Sequence, residues 1–436
     1  MRNILLLYLV FLGTILVHAQ NPLITAAELR EMVYVLASDS LEGRKPGEMG
    51  GQKTEAYLQG LFLKKGLQAP GGGVQPFEVI TGIRMGTSNV FDCSACKAEA
   101  GGNFIPAPWT GEMRISSEVY DAGYGFRVKK DSIDMDDYKA GEVKGKWAVI
   151  RRGIPAGSPY AAALREFSSD RDKALLAKDL GASGILFYNE IQDGRTEVLP
   201  DLLYDKSSAA LPLPAFYITS DLASCLKKSG TFLTAQADID LMHAITNNIW
   251  ALIPGSDPVL KNEYIVAGAH YDHLGYGGSG SGSRMPDTNA VHYGADDNAS
   301  GVAGILEMGE YLSGQRQRLG RSVILVAFGA EEMGLLGSSH FVKNLPVPAS
   351  TVKAMVNFDM IGRLDPDSRS ISIGGTGTSA EAVPLLNSLL KRSELKASYS
   401  TEGYGPSDHA PFYGAGIPVL YFNTGVHTDY HTPFDT

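Results

Sequence analysis

The sequence predicts an α/β fold: a mostly parallel or mixed sheet with helices on both faces, carrying an inserted, mainly β domain. Three observations predict it. From Ile245 onward, strand-like apolar runs alternate with helix-like runs, the order that gives a mostly parallel sheet covered on both faces. Between Asn103 and Asp238 this alternation gives way to short apolar runs separated by turns. His and acidic residues cluster in the first stretch and not in the second. Residues 20–102 and 239–436 are therefore expected to form one domain, and 103–238 an insert.

Residues 1–19 read as a signal peptide. Arg2 gives a positive start, Ile4 to Val17 is apolar, and Val17-His18-Ala19 is a small-residue exit. The run is shorter than the ~20 residues of a spanning helix. An exported chain, periplasmic or secreted and without a membrane span, is the expectation.

Leu23 to Leu36 predicts a helix, with Thr25 and Glu28 spaced as a capping box. Ala37 to Gly51 is a polar loop holding Arg44 and Lys45. Gln52 to Lys65 has helical spacing and ends at Gly66. Val79 to Val90 supplies strands. In the insert, Val119-Tyr120, Trp147 to Ile150, Gly184 to Tyr188 and Pro214 to Ile218 are strand-like. Asp172 to Gly181 and Ser220 to Lys228 look helical, and Asp131 to Lys146 is a charged loop. Further on, Tyr264 to Ala269, Val323 to Phe328, Val352 to Asn357, Ser370 to Ile373 and Ile417 to Phe422 are strands. Val302 to Leu312, Leu335 to Asn344 and Ser379 to Lys391 are helices.

Composition narrows the function. Hydrophobic residues make up 44% of the chain, ample for a core. A net charge of -10 excludes nucleic acid as partner, because phosphate binding needs a basic face. Three Cys are too few for a disulfide scaffold. Cys93-Ser94-Ala95-Cys96 is spaced for a tight disulfide or a redox or metal pair, and Cys225 stands alone.

The polar residues then fall into place on the sheet. His270 and Asp272 follow one strand, and Asp296 and Asp297 precede the next helix. Glu331-Glu332, Asp359, and His427 with His431 each follow a further strand. In such sheets a site forms outside the carboxyl ends of the strands, so these groups should converge. Several carboxylates with His and no Cys form a ligand set for zinc or a similar divalent ion. So many acids in one crevice repel one another unless cations compensate them. Two ions sharing one carboxylate would do so and would make a hydrolytic site. Of Glu331 and Glu332, one can then ligate while the other takes a proton.

The set His270-x-Asp272, Asp297-Asn298-Ala299-Ser300-Gly301, Glu331-Glu332, Asp359 and Tyr430-His431-Thr432 resembles the exported di-zinc aminopeptidase family. That family also holds glutamate carboxypeptidase II, blood-plasma-type carboxypeptidase relatives and glutaminyl cyclases. Leu29 to Gly66, with Ser38-Asp39-Ser40-Leu41-Glu42-Gly43-Arg44, is similar to the family's N-terminal part. The insert, with Val143 to Val149 and Gly181 to Gly184, resembles a protease-associated domain. The resemblance implies a zinc-exopeptidase, phosphorylase/hydrolase-like fold and two Zn2+ ions. His270 and Asp359 would hold one ion, Glu332 and His431 the other, and Asp297 both. It implies Glu331 as general base, Asp272 as hydrogen-bond partner of a ligating His, and Tyr430 as oxyanion donor. Substrates would be peptides or small proteins with a free N-terminus.

His273, His292, His340 and His409 have no ligand slot in that pattern and are expected to be structural. His427 is the rival to His431. Ser407-Asp408-His409 is not a nucleophile triad, since triads are spread along a chain; Ser407 and Asp408 are expected to shape the substrate pocket. Asn298, where some relatives have Asp, should remove no ligand. Gly275 to Gly282 reads as a loop at the crevice mouth. A dipeptidase or carboxypeptidase of the same fold is the first alternative, favoured by an Arg cluster that is not visible around Arg284 or Arg363. A non-catalytic, receptor-like binding protein is the second.

Overall fold

The computed structural model describes residues 24–130, 133–139, 141–190, 197–204 and 210–436; the expected signal peptide lies outside them. In the main domain we number eight strands: β1 (Val74–Met85), β2 (Ile239–Ile253), β3 (Tyr264–His270), β4 (Ser322–Phe328), β5 (Val352–Phe358), β6 (Ser370–Gly374), β7 (Lys396–Tyr399) and β8 (Val419–Asn423). They form one sheet in the order β1-β2-β4-β3-β5-β8-β6-β7. The central four, β4-β3-β5-β8, run parallel. β1, β2 and β6 join antiparallel, so the sheet is mixed with a parallel centre.

Alternate side chains of these strands face opposite layers. Ile249, Ala251, Ala267, Ala269, Leu325 and Ala327 pack under helices α1 (Ala26–Leu36), α2 (Met49–Lys64) and α3 (Gly301–Gly314). Trp250, Val266, Ile324, Val326 and Met355 pack on the other face, against Phe341 of α4 (Leu336–Lys343) and Phe412 of α6 (His409–Gly414). Between them in sequence lies α5 (Ala382–Leu390). Cover on both faces explains why all of β4 is buried and reads as an unbroken apolar run. α1 starts at the expected capping box, with the Thr25 and Glu28 side chains bonded reciprocally.

The insert has its own sheet. Strand Arg114–Asp121 pairs in parallel with Trp147–Arg151, followed by Gly184–Tyr188 and Ala215–Ile218. Helices Asp170–Asp179 and Ser220–Leu226 belong to this unit. Three expectations are corrected here, and one strand is added. Val90–Asp92 pairs with Phe232–Gln236, so the insert's sheet begins before residue 103. The charged loop contains strand Ile133–Asp136, which forms a hairpin with Arg127–Lys130. The edge strand β7 is too short and polar to be read from its pattern. The Cys93–Cys96 disulfide does not form: Cys96 bonds Cys225, and Cys93 is free and buried. Among the described residues no helix is long and apolar enough to cross a membrane.

Candidate metal centre

His270 is the last residue of β3, Asp359 follows β5, Glu331 and Glu332 follow β4, and His431 lies after β8. Asp297 sits in the turn that opens α3, and the Asp297-Asn298 peptide is cis. The carboxyl ends of the parallel centre thus bring all six to one place. His270 Nε2 lies 3.3 Å from Asp297 Oδ1, 3.5 Å from Asp359 Oδ1 and 3.9 Å from Glu331 Oε2. His431 Nε2 lies 3.1 Å from Asp297 Oδ2 and 3.3 Å from Glu332 Oε1. One oxygen of Asp297 therefore faces each of two triads, His270–Asp297–Asp359 and His431–Asp297–Glu332.

These residues fit a pair of divalent cations. Two ligand atoms bound at 2.0–2.1 Å in a tetrahedron stand roughly 3.3 Å apart, which matches these separations. His270 Nδ1 faces the Asp272 carbonyl at 3.2 Å, and His431 Nδ1 faces the Gly282 carbonyl at 3.1 Å. A carbonyl only accepts, so each ring donates from Nδ1 and turns the lone pair of Nε2 inward. Asp359 Oδ1 is buried with no hydrogen-bond partner, as expected of a ligand atom.

The electrostatics point the same way. Burial opposes a charge on His270, yet Glu331 and Asp359 push its pKa well above the usual range. Burial likewise opposes charge on His431, but Asp297 and Glu332 raise it to about 10. Glu332 is held at about 2: burial and Asp297 push it up, and the bonds from His273 and His431 outweigh them. The crevice thus holds positive charge strongly. Glu331 differs. Burial, with Glu332, Asp408 and Asp359, drives its pKa well up against the pull of His270.

Several neighbours depart from expectation. Asp272 does not bond the ring of His270 through its carboxylate, whose nearer oxygen is 3.8 Å away. It accepts instead from the backbone N–H groups of Glu331 and Glu332, at 2.9 and 3.2 Å, and so aims that pair. Ser407 and Asp408 do not line an open pocket; both are fully buried. Ser407 Oγ donates to Asp359 Oδ2 at 2.8 Å and accepts from Asn357. His273 was expected to be structural only, but its Nδ1 is 2.9 Å from Glu332 Oε1 and 3.8 Å from Asp297 Oδ2. Its position three residues after His270 was the available signal. The rings of Tyr430 and His431 stack with centroids 3.8 Å apart. Asn298 turns away from the ligands: its amide bonds the Phe358 carbonyl, and its oxygen accepts from Gly301. His427 faces Asp296 at 3.5 Å, outside both triads.

Two networks hold Asp297 from behind. Asp435 accepts the N–H groups of Asp296 and Asp297 and is itself paired with Arg363. Arg44, fully buried, donates to the carbonyls of Leu36, Tyr271, Tyr293 and Gly294 at 2.6–2.8 Å, and to that of Asp297 at 3.4 Å. One guanidinium thereby ties α1 to both ligand loops. Burial lowers its pKa only to about 10, and the nearby carboxylates Asp297, Asp272 and Asp435 keep it charged. Replacing Arg44 with Met leaves five carbonyls without this donor and the carboxylates without a counter-charge. The expected loss is about 3–5 kcal/mol of stability, read as a lower Cm in urea unfolding.

Strain gathers at the same loops. Ala330, Met360 and His431 have φ of 56, 57 and 55°, each costing about 1–3 kcal/mol. Each is a ligand-loop residue or its immediate neighbour, so packing is being used to fix ligand direction.

Residues 248–436 match the model of peptidase family M28, and residues 115–224 match the PA domain. The E. coli protein YfbL, itself uncharacterized, is 31% identical over 240 residues, covering 48% of this chain and 69% of YfbL. The chain belongs to peptidase family M28. Aminopeptidase YwaD of Bacillus subtilis is 28% identical over 75% of this chain and 63% of its own length. An aminopeptidase of Pseudomonas aeruginosa is 29% identical over 63% and 48%. The matched regions thus cover less than two thirds of these two relatives. The solved aminopeptidase from Aneurinibacillus sp. strain AM-1 shares the fold at a TM-score of 0.54, with 23% identity over 96% of this chain and 90% of that one. BSAP, a zinc aminopeptidase from Bacillus subtilis, has a TM-score of 0.54 at 21% identity over 94% and 89%. The M28 match ends at Thr436 and so includes His431 and Asp435, while the PA match falls within the insert.

Proposed function

We propose that this protein is an exported zinc metallo-exopeptidase that removes N-terminal residues from peptides. The observation that carries the reading is Asp297 with one carboxylate oxygen toward each triad, beside Glu331 at 3.9 Å from His270. Relatives named as aminopeptidases support it. In this reading His270 and Asp359 would hold one Zn2+, Glu332 and His431 the other, and Asp297 would serve both. When bound, the ions would supply Lewis acidity and a water acidic enough to react near neutral pH.

The chain's own groups do the rest. The Glu331 carboxylate accepts a proton from the attacking water and returns it to the departing amine nitrogen. Asp272 fixes where that carboxylate points, through the backbone of Glu331. Tyr430 keeps its proton, because burial and four surrounding carboxylates push its pKa up, so its hydroxyl can donate to the developing oxyanion. Arg363 is engaged by Asp429 and Asp435, which argues against a carboxylate clamp and hence against the carboxypeptidase alternative. The test is a comparison of Leu-p-nitroanilide with N-blocked peptides, alongside metal analysis of the purified protein. Cleavage of the unblocked substrate alone, with zinc bound, is expected; turnover of blocked peptides only would overturn the reading.

A further inference from the structure

The ring of His431 is oriented by the carbonyl of Gly282, at the end of a glycine-rich loop. Gly275, Gly277, Gly278, Gly280 and Gly282 all have positive φ, between 65 and 93°. Glycine gives such a stretch little preference for one shape, so something else must fix it. A buried imidazole does. His292 is fully buried, and the loop folds around its ring. A Cβ added at Gly277 would stand 2.2 Å from Cε1 of that ring. Gly277 pairs with Asn289, and the Gly275 carbonyl accepts the His292 N–H at 2.8 Å. His292 Nδ1 faces the Ala290 carbonyl at 2.9 Å, which can only accept, so Nδ1 carries the proton. Burial lowers the pKa of the ring and keeps it neutral. Its Nε2 is then an acceptor, and Ser283 Oγ donates to it at 2.8 Å. We propose that Ser283 and His292 are positioning residues for His431, and that their hydrogen bond sets how well that ligand holds its ion.

Three observations support it. Ser283 sits between the two residues that grip His431: the Gly282 carbonyl takes the ring N–H, and the Arg284 N–H donates to the His431 carbonyl at 3.0 Å. Fixing Ser283 therefore fixes both grips. The far end of the link is itself anchored, because Arg44 holds the carbonyls of Tyr293 and Gly294, directly after His292. The same frame also holds the Asp297 turn, so the pair ties His431 to the shared carboxylate. Finally, the two imidazole ligands differ in support. His270 ends β3 and is held by the sheet, whereas His431 lies in a loop with a φ of 55° and depends on such outside contacts. The effect of the pair should therefore fall on one ion and spare the other.

The inference rests on the proposed two-ion site, and the test separates the two. The metal-stripped full chain and its variants would be titrated with Zn2+ by calorimetry and with Co2+ by visible absorption. A His431→Ala reference shows which binding step and which Co2+ band belong to that ligand. Ser283→Ala should weaken the same step by about 10- to 100-fold, the usual cost of losing an outer partner of a ligand, and shift the same band. The other step should stay unchanged. Ser283→Thr keeps the hydroxyl and should restore both readouts. Equal weakening of both steps, or of neither, would overturn the positioning role. So would a Thr variant as weak as the Ala one, since the hydroxyl would then not be what matters. Uptake of fewer than two ions by the unaltered protein would instead sink the two-ion reading.

Discussion

Glu331→Gln should lower kcat by about 10²- to 10⁴-fold while leaving metal content unchanged, the range expected for loss of a general acid–base. Gln is nearly the same size and keeps a polar end, so the backbone contacts from Asp272 persist. What it lacks is the ability to accept and return a proton. Glu331 stands 3.9 Å from His270, against 3.3 Å for Asp297 and 3.5 Å for Asp359, and the proposed site gives it no ion to hold. Burial already disfavours its charge, and the neutral amide should therefore be tolerated. The measurement is paired: zinc per chain by elemental analysis, and kcat on Leu-p-nitroanilide. A variant with full zinc and unaltered kcat would remove Glu331 from the mechanism. A variant that lost zinc would recast it as a ligand.

How much of this could be read from the sequence depends on the range of the interaction. The parallel centre was legible, because strands covered on both faces are continuous apolar runs and their helices have clear periodicity. The convergence of His270, Glu331, Glu332 and Asp359 was legible because each ends such a strand or lies within a few residues of it. The supports behind them were not. Arg44 reaches Asp297 across 253 residues, and a polar loop containing an Arg looks like any solvated loop. Asp272 and Ser407 were named but given the wrong contacts, since spacing places a residue near a site without telling which atom it faces. The Cys96–Cys225 bond spans 129 residues, a pairing that local Cys spacing does not reveal. The insert's first strand escaped for a similar reason: Val90–Asp92 has three residues, and its pairing partner lies at Phe232–Gln236.

Asp297 and Asp296 are adjacent, similarly buried and chemically identical, yet they should respond differently to the same change. Asp297→Ala removes an oxygen from each triad, leaving His270 with Asp359 on one side and His431 with Glu332 on the other. Two remaining protein ligands are fewer than the three or more of ordinary zinc sites. In the proposed two-ion site both ions should then be lost on dialysis, and activity with them. Asp296 faces elsewhere. Its Oδ1 accepts the Gly362 N–H at 2.6 Å, and its Oδ2 lies near His427. Asp296→Ala therefore loosens the strained turn after Asp359 without taking a donor from either triad. A 10- to 100-fold loss of metal affinity is about what removing such an outer partner costs. Titration of the metal-stripped proteins with Zn2+ distinguishes the two: no tight binding for Asp297→Ala, weakened but complete binding for Asp296→Ala. Equal loss in both would mean that the turn, and not the bridging carboxylate, decides whether the ions are held.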